Sequence, residues 1–501
     1  MLPAGGDGGA LMAFSDSRTA SLRHYATGGR SAPPVDLAAK FSRPDVVRET
    51  GDLALKDGSR IGVIGGGPAG SFFAYFLLET AERAGLSLEV DVFEARDFTV
   101  PGPVGCNMCG GVVSESMVQT LATEGIRFPE TVVQRGLDSF VIHSPERTAY
   151  MDIPLRERRI AAMHRGSGPK NAHVHEWESF DGYLLNAAAE RGVSVVHGRV
   201  SGIGSDGDRP VLQVGEKAFG PYELVVDAAG VNSSAWKMFA EFDRGFEPPK
   251  MTKAYVGELY VGKEWIDEVF GSSIHVFMLA LPGLEFAGLL PKGQHLTLVM
   301  LGDGVDNEFI EEFLAHPAVR ECLPPGWTTE LRDCQCRPRL NARGMPRPYA
   351  DRLLFLGDAG ITRYNKDGIG AAYRAAKAAA VTAVFDGVSA RAFAGHYMRT
   401  CAGIERDNRY GKVIFGLAGL IQAIGPARRG MMRMLIHEQT HESSRRHMSA
   451  ILWDTFTGSA PYRDVFARFF HPAFIGGILA HTALSLGRGP AKPDTAIEEG
   501  S

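Results

Sequence analysis

One stretch constrains this chain more than any other: Arg60-Ile61-Gly62-Val63-Ile64-Gly65-Gly66-Gly67-Pro68-Ala69-Gly70-Ser71. Ile61 to Ile64 is a short apolar run suited to a buried parallel strand, and Ser71 to Ala84 has the length and apolar content of a helix. Three glycines punctuate the join. Gly65 permits a tight turn, Gly67 leaves no side chain between backbone and a pyrophosphate, and Gly70 lets the helix pack closely on the strand. The free N–H groups at the helix start then face the phosphates. A second strand, Leu88 to Phe93, ends in Glu94, which lies 24 positions after Gly70 and can accept hydrogen bonds from a ribose. A glycine loop alone has steric explanations. With its strand, helix and terminal acid it reads as a βαβ unit that binds a dinucleotide.

Length and composition narrow the rest. A chain of 501 residues, 45% of them hydrophobic, accommodates two or three domains around a large core. With Lys+Arg 53 against Asp+Glu 58 the net charge is -5, which argues against a general nucleic-acid binder. Six cysteines are too few for a disulfide scaffold, so a reducing, cytoplasmic setting is expected. No run reaches the roughly 18 to 20 apolar residues that a spanning helix needs. Residues 1–58, rich in Gly, Ala, Ser and Pro, are expected to form a mobile extension.

Further motifs follow in order. Pro101 to Ser114 is a loop with two thiols and the pair Gly110-Gly111; residues 139–153 read as a strand pair turning at Ser144-Pro145-Glu146. Phe180-Asp181 opens an amphipathic helix that leads to the strand Val193 to Val196. Glu223 to Asp227 is a buried strand ending in Ala228-Ala229-Gly230. Residues 255–300 are β-rich and are expected to form a separate antiparallel sheet. Arg352 to Leu356 is a core strand ending in Gly357-Asp358, and Asp367-Gly368-Ile369-Gly370 begins an alanine-rich helix. Residues from about 388 read as mostly helical.

Taken together, the glycine loop with Glu94, Phe180-Asp181, Asp227-Ala228-Ala229-Gly230, Gly357-Asp358 and Asp367-Gly368-Ile369-Gly370 resemble FAD-dependent oxidoreductases of the glutathione-reductase-like, hydroxylase-fold superfamily. Within it the chain looks most like geranylgeranyl reductases, through Cys109-Gly110-Gly111 and Pro282-Gly283 with Leu290-Pro291-Lys292-Gly293. Leu284, Ala287 and Leu290 stand where that family has aromatic residues, and Thr362-Arg363-Tyr364-Asn365-Lys366 replaces its usual loop.

The resemblance implies a discontinuous Rossmann-like FAD-binding domain (59–112, 180–235 and 345–387). It also implies an inserted antiparallel substrate-binding sheet domain (113–179 and 236–344) and a helical C-terminal region (388–501). It implies that Gly65, Gly67, Pro68, Ala69 and Gly70 hold the pyrophosphate and that Glu94 with Ala95 holds the adenosine ribose. Gly110, Gly111, Val200, Ala229, Gly230, Gly357 and Asp358 would line the cofactor, and Gly368, Ile369 and Gly370 would face the flavin's pyrimidine edge. A flavin performs the hydride or electron transfer itself, so no acid–base dyad is required. There is no second complete glycine unit for a nicotinamide, so transiently docked NAD(P)H or an electron-donor protein is the expected reductant. The expected reaction is reduction of carbon–carbon double bonds in a hydrophobic, isoprenoid-like substrate by hydride from the reduced flavin, with Cys109 as proton donor or positioning residue. A flavin-dependent monooxygenase, an electron-transfer flavoprotein with a thiol-bound cluster, and a protein that retains FAD structurally are the alternatives.

Three constellations stay open. Cys106-x-x-Cys109 and Cys334-x-Cys336 flank these elements and fit reduced thiols lining a pocket, a redox disulfide, or an iron–sulfur or zinc site. His437-Glu438-Gln439-Thr440-His441 matches a zinc-protease spacing and is expected to be a surface helix with chance spacing, so no metal ligand is assigned. Val413 to Ile424, Phe469-Phe470 and Ala473 to Leu486 suit either a buried helical core or a peripheral membrane contact at the inner face of the membrane.

Overall fold

The computed structural model describes residues 53–486 apart from 155–158, 171–176, 243–244, 303 and 442–445. The expected extension over 1–52 lies outside the described residues. Its proposed end at 58 is corrected: Leu55 is buried, and the Leu53 carbonyl accepts the Val388 N–H, so the folded body starts ahead of residue 59.

A six-stranded sheet carries the nucleotide-type motif. Its order is Tyr349–Ala350, Leu353–Phe355, Leu224–Asp227, Ser59–Ile64, Leu88–Glu94, Ser194–His197, and all pairs but the first are parallel. The strands are apolar on both faces because both are covered, one by helices and the other by the three-stranded sheet over 200–219 with the helix Ala235–Phe242. Helices Pro68–Arg83 and Gly368–Phe385 pack together, with Phe72, Phe73 and Phe76 against Ala371, Ala375 and Ala379; the small alanines permit the close approach. Register decides where the site falls. Ile64 pairs with Phe93 and Asp227, and Asp227 with Phe355, so four strands end in one row. The turns that follow, Gly65 to Gly67, Glu94-Ala95, Ala228 to Gly230 and Gly357-Asp358, therefore emerge along a single edge, where parallel sheets bind ligands.

The second large sheet has eight strands. Its main path runs Arg332–Cys336, Lys250–Tyr260, His295–Leu301, Phe286–Lys292, Ser273–Phe277, Ser139–His143, Thr148–Asp152, and Arg339–Arg343 also pairs with Lys250–Tyr260. The expectation of an antiparallel sheet needs one correction. Ser273–Phe277 runs parallel to Ser139–His143, which joins the 139–152 hairpin to the same sheet. Neighbouring residues serve opposite faces, as the pleat requires. Leu289 packs with Phe313 of the helix Asn307–Ala315, whereas Leu290 joins Met431, Leu435 and Trp453 of the C-terminal helices.

Those helices are Ala390–Ala423, Gly425–Thr440, His447–Thr457, Tyr462–Arg468 and Pro472–Leu486, the first of them broken by non-helical backbone at Gly395. Among the described residues no single helix is long and apolar enough to cross a membrane. Two small three-stranded sheets complete the fold: 200–219, and Val112–Ser114 with Arg135–Leu137 and Ile160–Ala162.

Candidate functional site

A cavity of about 1040 Å³ runs from the edge of the parallel sheet to the face of the eight-stranded sheet. At the first end the glycines shape it. Gly65 has φ of +102°, and a Cβ there would stand 2.7 Å from the Ala228 carbonyl oxygen. A Cβ on Gly70 would meet the Gly65 oxygen at 1.9 Å, so this glycine permits helix–strand contact and does not itself reach the cavity. Gly67, Pro68 and Ala69 line the wall, and a Cβ on Gly67 would point toward Asn107 and the open space.

Glu94 is buried. One of its oxygens accepts the Gly66 N–H at 2.7 Å and the other the Arg96 N–H at 2.8 Å. Each carboxylate oxygen retains a second lone pair, so ribose hydroxyls can still bond here. Ala95, Val200, Ala229, Gly230, Gly357 and Asp358 also line the cavity. Asp358 is exposed to the cavity interior, and the neighbouring protein raises its carboxyl pKa by desolvation, partly offset by Thr362 and the Arg165 charge. Asp227 lies just behind this wall; it accepts the Ala229 N–H at 3.0 Å, and burial pushes its carboxyl up to about 7.

The helix Gly368–Phe385 opens into the same space. Asp367, in the left-handed region at φ 56°, caps it by accepting the Gly370 N–H at 3.1 Å. Gly368 and Ile369 line the cavity. Gly370 does not: a Cβ there would overlap the Asp367 carboxylate at 2.2 Å, so this glycine exists for the cap. The preceding loop is pinned by Arg363, whose guanidinium bonds Asp367 and the carbonyls of Gly458 and Ala460 and lies over the Tyr462 ring.

At the second end the lining turns apolar: Phe140, Ile274, Phe286, Leu290, Val299 and Phe456. Lys366 enters this chamber with its ammonium 3.7 Å from the Phe286 ring centroid, and burial lowers its pKa to about 8. Cys109, Gly110 and Gly111 form the wall between the two ends.

A charged chain runs along that wall. Arg96 donates to Asn107, Asn107 donates to Asp181, and Arg165 donates to both oxygens of Asp181, the Nη2 bond at 2.9 Å. Phe180-Asp181 was legible as a helix start, and Ser179 caps it through the Gly182 N–H. Arg165, Asn107, Arg96 and Lys366 carried no recognisable spacing. Arg165 precedes Asp181 by 16 residues and reaches it only through tertiary packing.

In the zinc-protease spacing the glutamate is turned into the fold, away from the histidines. Glu438 is buried and accepts the Met448 and Ser449 N–H groups, while His437 and His441 lie exposed with their rings 4.0 Å apart.

The cavity fits an extended dinucleotide. The glycine edge has the backbone clearance for phosphates, and Asn365 Nδ2, buried beside Gly368, has no protein partner and can donate to a polar ring edge.

No protein-family model and no curated protein matches the chain. Solved structures do. A flavoprotein/dehydrogenase from Cytophaga hutchinsonii is 14% identical, with a TM-score of 0.52 over 86% of this chain and 100% of that one. A p-nitrophenol 4-monooxygenase from Pseudomonas putida DLL-E4 is also 14% identical, with a TM-score of 0.53 over 81% and 100%. The flavin-dependent halogenase CmlS is 17% identical, with a TM-score of 0.50 over 84% and 72%. The mixed α/β architecture, a Rossmann-like sheet with an inserted second sheet and a helical C-terminal region, is thus the fold of these flavoproteins.

Proposed function

We propose that this chain is an FAD-dependent oxidoreductase acting on an apolar substrate held between the eight-stranded sheet and the C-terminal helices. One observation carries the reading: a single cavity joins the glycine edge, with its phosphate-sized clearance, to an apolar chamber. Bound FAD would supply hydride or electron transfer at its ring. Gly65, Gly67, Pro68 and Ala69 would hold the pyrophosphate, Glu94 and Ala95 the adenosine ribose, and Gly357 with Asp358 the ribityl side. The N-terminus of Gly368–Phe385 would place its partial positive charge at the ring's pyrimidine edge and favour an anionic reduced ring. Lys366 holds a proton at the chamber, and the apolar lining keeps water away from it.

For the finer chemistry, the monooxygenase and halogenase among the similar structures favour oxygen-dependent attack on an aromatic or lipid substrate. Reduction of a carbon–carbon double bond in an isoprenoid-like substrate is the second reading. It is favoured by the Cys109-Gly110-Gly111 loop at the wall and by a proton donor, Lys366 or Cys109, within reach of the chamber. The reductant would be docked NAD(P)H or a donor protein. An apolar stripe, Val413, Leu417, Leu420 and Ile424, faces outward along the C-terminal half of Ala390–Ala423 and its end, and we propose that it rests on a membrane from which the substrate enters.

The test is turnover by FAD-reconstituted protein with and without oxygen. Oxygen uptake matched to NADPH oxidation and a hydroxylated product would support monooxygenation; anaerobic loss of a substrate double bond would support reduction. Failure to retain FAD would end both readings.

A further inference from the structure

Beside the large cavity lies a second one of about 40 Å³, and four of the six cysteines line it: Cys106, Cys109, Cys334 and Cys336. They come from two distant segments. Cys106 and Cys109 sit in a loop whose non-glycine residue Met108 is held at φ 52° and whose Gly111 is at φ 66°. Cys334 and Cys336, two apart on the strand Arg332–Cys336, point to one face of it, with Cys334 opposite Glu258 and Cys336 opposite Val256. Close glycine contacts bring the loop in: a Cβ on Gly166 would stand 2.2 Å from the Gly105 oxygen.

Main-chain N–H groups face two of the sulfurs. The Met108 N–H donates to Cys106 Sγ at 3.2 Å and the Gly111 N–H to Cys109 Sγ at 3.5 Å. Arg165 lines the same cavity beside Cys109. Main-chain donors aimed at sulfur are the contacts that tune cysteine-bound clusters. The Glu258 carboxyl and the Arg165 guanidinium line the same small cavity. His164, 5% exposed, lines the cavity too, and its Nε2 has no partner.

The spacing of the donors selects the kind of metal. A mononuclear ion needs its ligand atoms within about 4 Å of one another, given bonds near 2.3 Å to sulfur. Among the described residues the group whose donor atoms meet within 4.8 Å is His143, His275 and Cys322; the four thiols form no such group but ring a void.

We propose that Cys106, Cys109, Cys334 and Cys336 are the ligands of an iron–sulfur cluster that shares a wall with the cofactor cavity; Cys109 is then a ligand, and Lys366 is the proton donor at the chamber. Pro103, Met108, Cys109 and Arg165 border both spaces, which places a one-electron carrier next to the redox cofactor. That neighbourly role rests on the FAD reading; the cluster itself does not.

The experiment uses full-length protein purified without oxygen or reconstituted with ferrous iron and sulfide. We expect iron and acid-labile sulfide in equal amounts, at about two to four of each per chain, and a paramagnetic signal after reduction by dithionite. Both should fall at least tenfold in a Cys334→Ala/Cys336→Ala variant with an unchanged circular dichroism spectrum, and both should persist in Cys401→Ala. Absence of iron after reconstitution, one zinc per chain in its place, or a cluster that survives the double substitution would overturn the proposal. FAD released by acid is counted separately. Iron without FAD sinks the flavin reading and leaves the cluster standing, and FAD without iron does the reverse.

Discussion

The two ends of the large cavity are built in different ways. The glycine end comes from short local motifs at the ends of four parallel strands, and its walls are mostly backbone. The chamber end is assembled from side chains on the strands Ser139–His143, Ser273–Phe277 and Phe286–Lys292, the loop before Gly368, and the C-terminal helix His447–Thr457. A backbone wall tolerates almost no added atom, whereas a side-chain wall can be re-cut without unfolding. The glycine end therefore fixes which cofactor shape enters, and the chamber end sets what reacts there.

Substitutions can break or sharpen this contrast. The largest effect should come from Gly70→Val, because a Cβ at 1.9 Å from the Gly65 carbonyl forces helix and strand apart. A loss of about 4 kcal/mol or more is expected, read as loss of soluble, folded protein. Gly368→Ala, with nothing nearer than 3.6 Å to its Cβ, should cost under about 1 kcal/mol in urea unfolding. Equal losses in the two would end the claim that Gly70 is held by backbone packing while Gly368 borders open space.

Asp181→Ala should come next, at about 3 kcal/mol, because it leaves buried Arg165 without its carboxylate. Urea titration of the variant measures it, and Asp181→Asn should recover part of the loss through its remaining acceptor oxygen.

Asp227 provides a pH-dependent test. Its folded pKa of about 7 lies above the ordinary 3.8, so the protonated form belongs to the folded state. Its stabilisation is complete below about pH 3.8 and is lost as pH rises through 7. Asp227→Asn stays neutral, and its stability relative to the unchanged protein should rise by about 4 kcal/mol between pH 4 and pH 8. A difference that is flat with pH would refute the assignment.

At the chamber end the effects on folding should be small and those on turnover large. Lys366→Met should change stability by less than about 1 kcal/mol, while removing the fall in turnover expected as the ammonium deprotonates near pH 8. A variant with the same pH profile would exclude Lys366 as the proton source. The smallest effect on folding, within about 0.5 kcal/mol, belongs to Leu417→Asn with Leu420→Asn on the outward stripe. Co-sedimentation with lipid vesicles should nonetheless drop, and undiminished binding would count against the membrane contact.

Much of the glycine end was legible because its physics is local. A glycine that must clear a backbone, an acid at a strand end and a helix start each leave a pattern within a few residues, as Gly65 to Gly70, Glu94 and Asp367 to Gly370 do. The same patterns do not tell a ligand-facing glycine from a packing glycine. Gly70 and Gly370 share the motifs yet face Gly65 and Asp367 and not the cavity. The 139–152 hairpin was legible from its turn, but its parallel partner Ser273–Phe277 was not, because pairing across more than a hundred residues leaves no period in the chain.

The sequence by itself determined the βαβ unit, the order of the strand-end motifs and the presence of two cysteine pairs, since each depends on neighbours along the chain. Only the tertiary structure decided that Arg165 closes on Asp181, that Lys366 enters an apolar chamber beside Phe286, and that the two cysteine pairs surround one void. Those outcomes depend on which distant segments are buried against one another, and burial is a property of the packed core, not of local spacing.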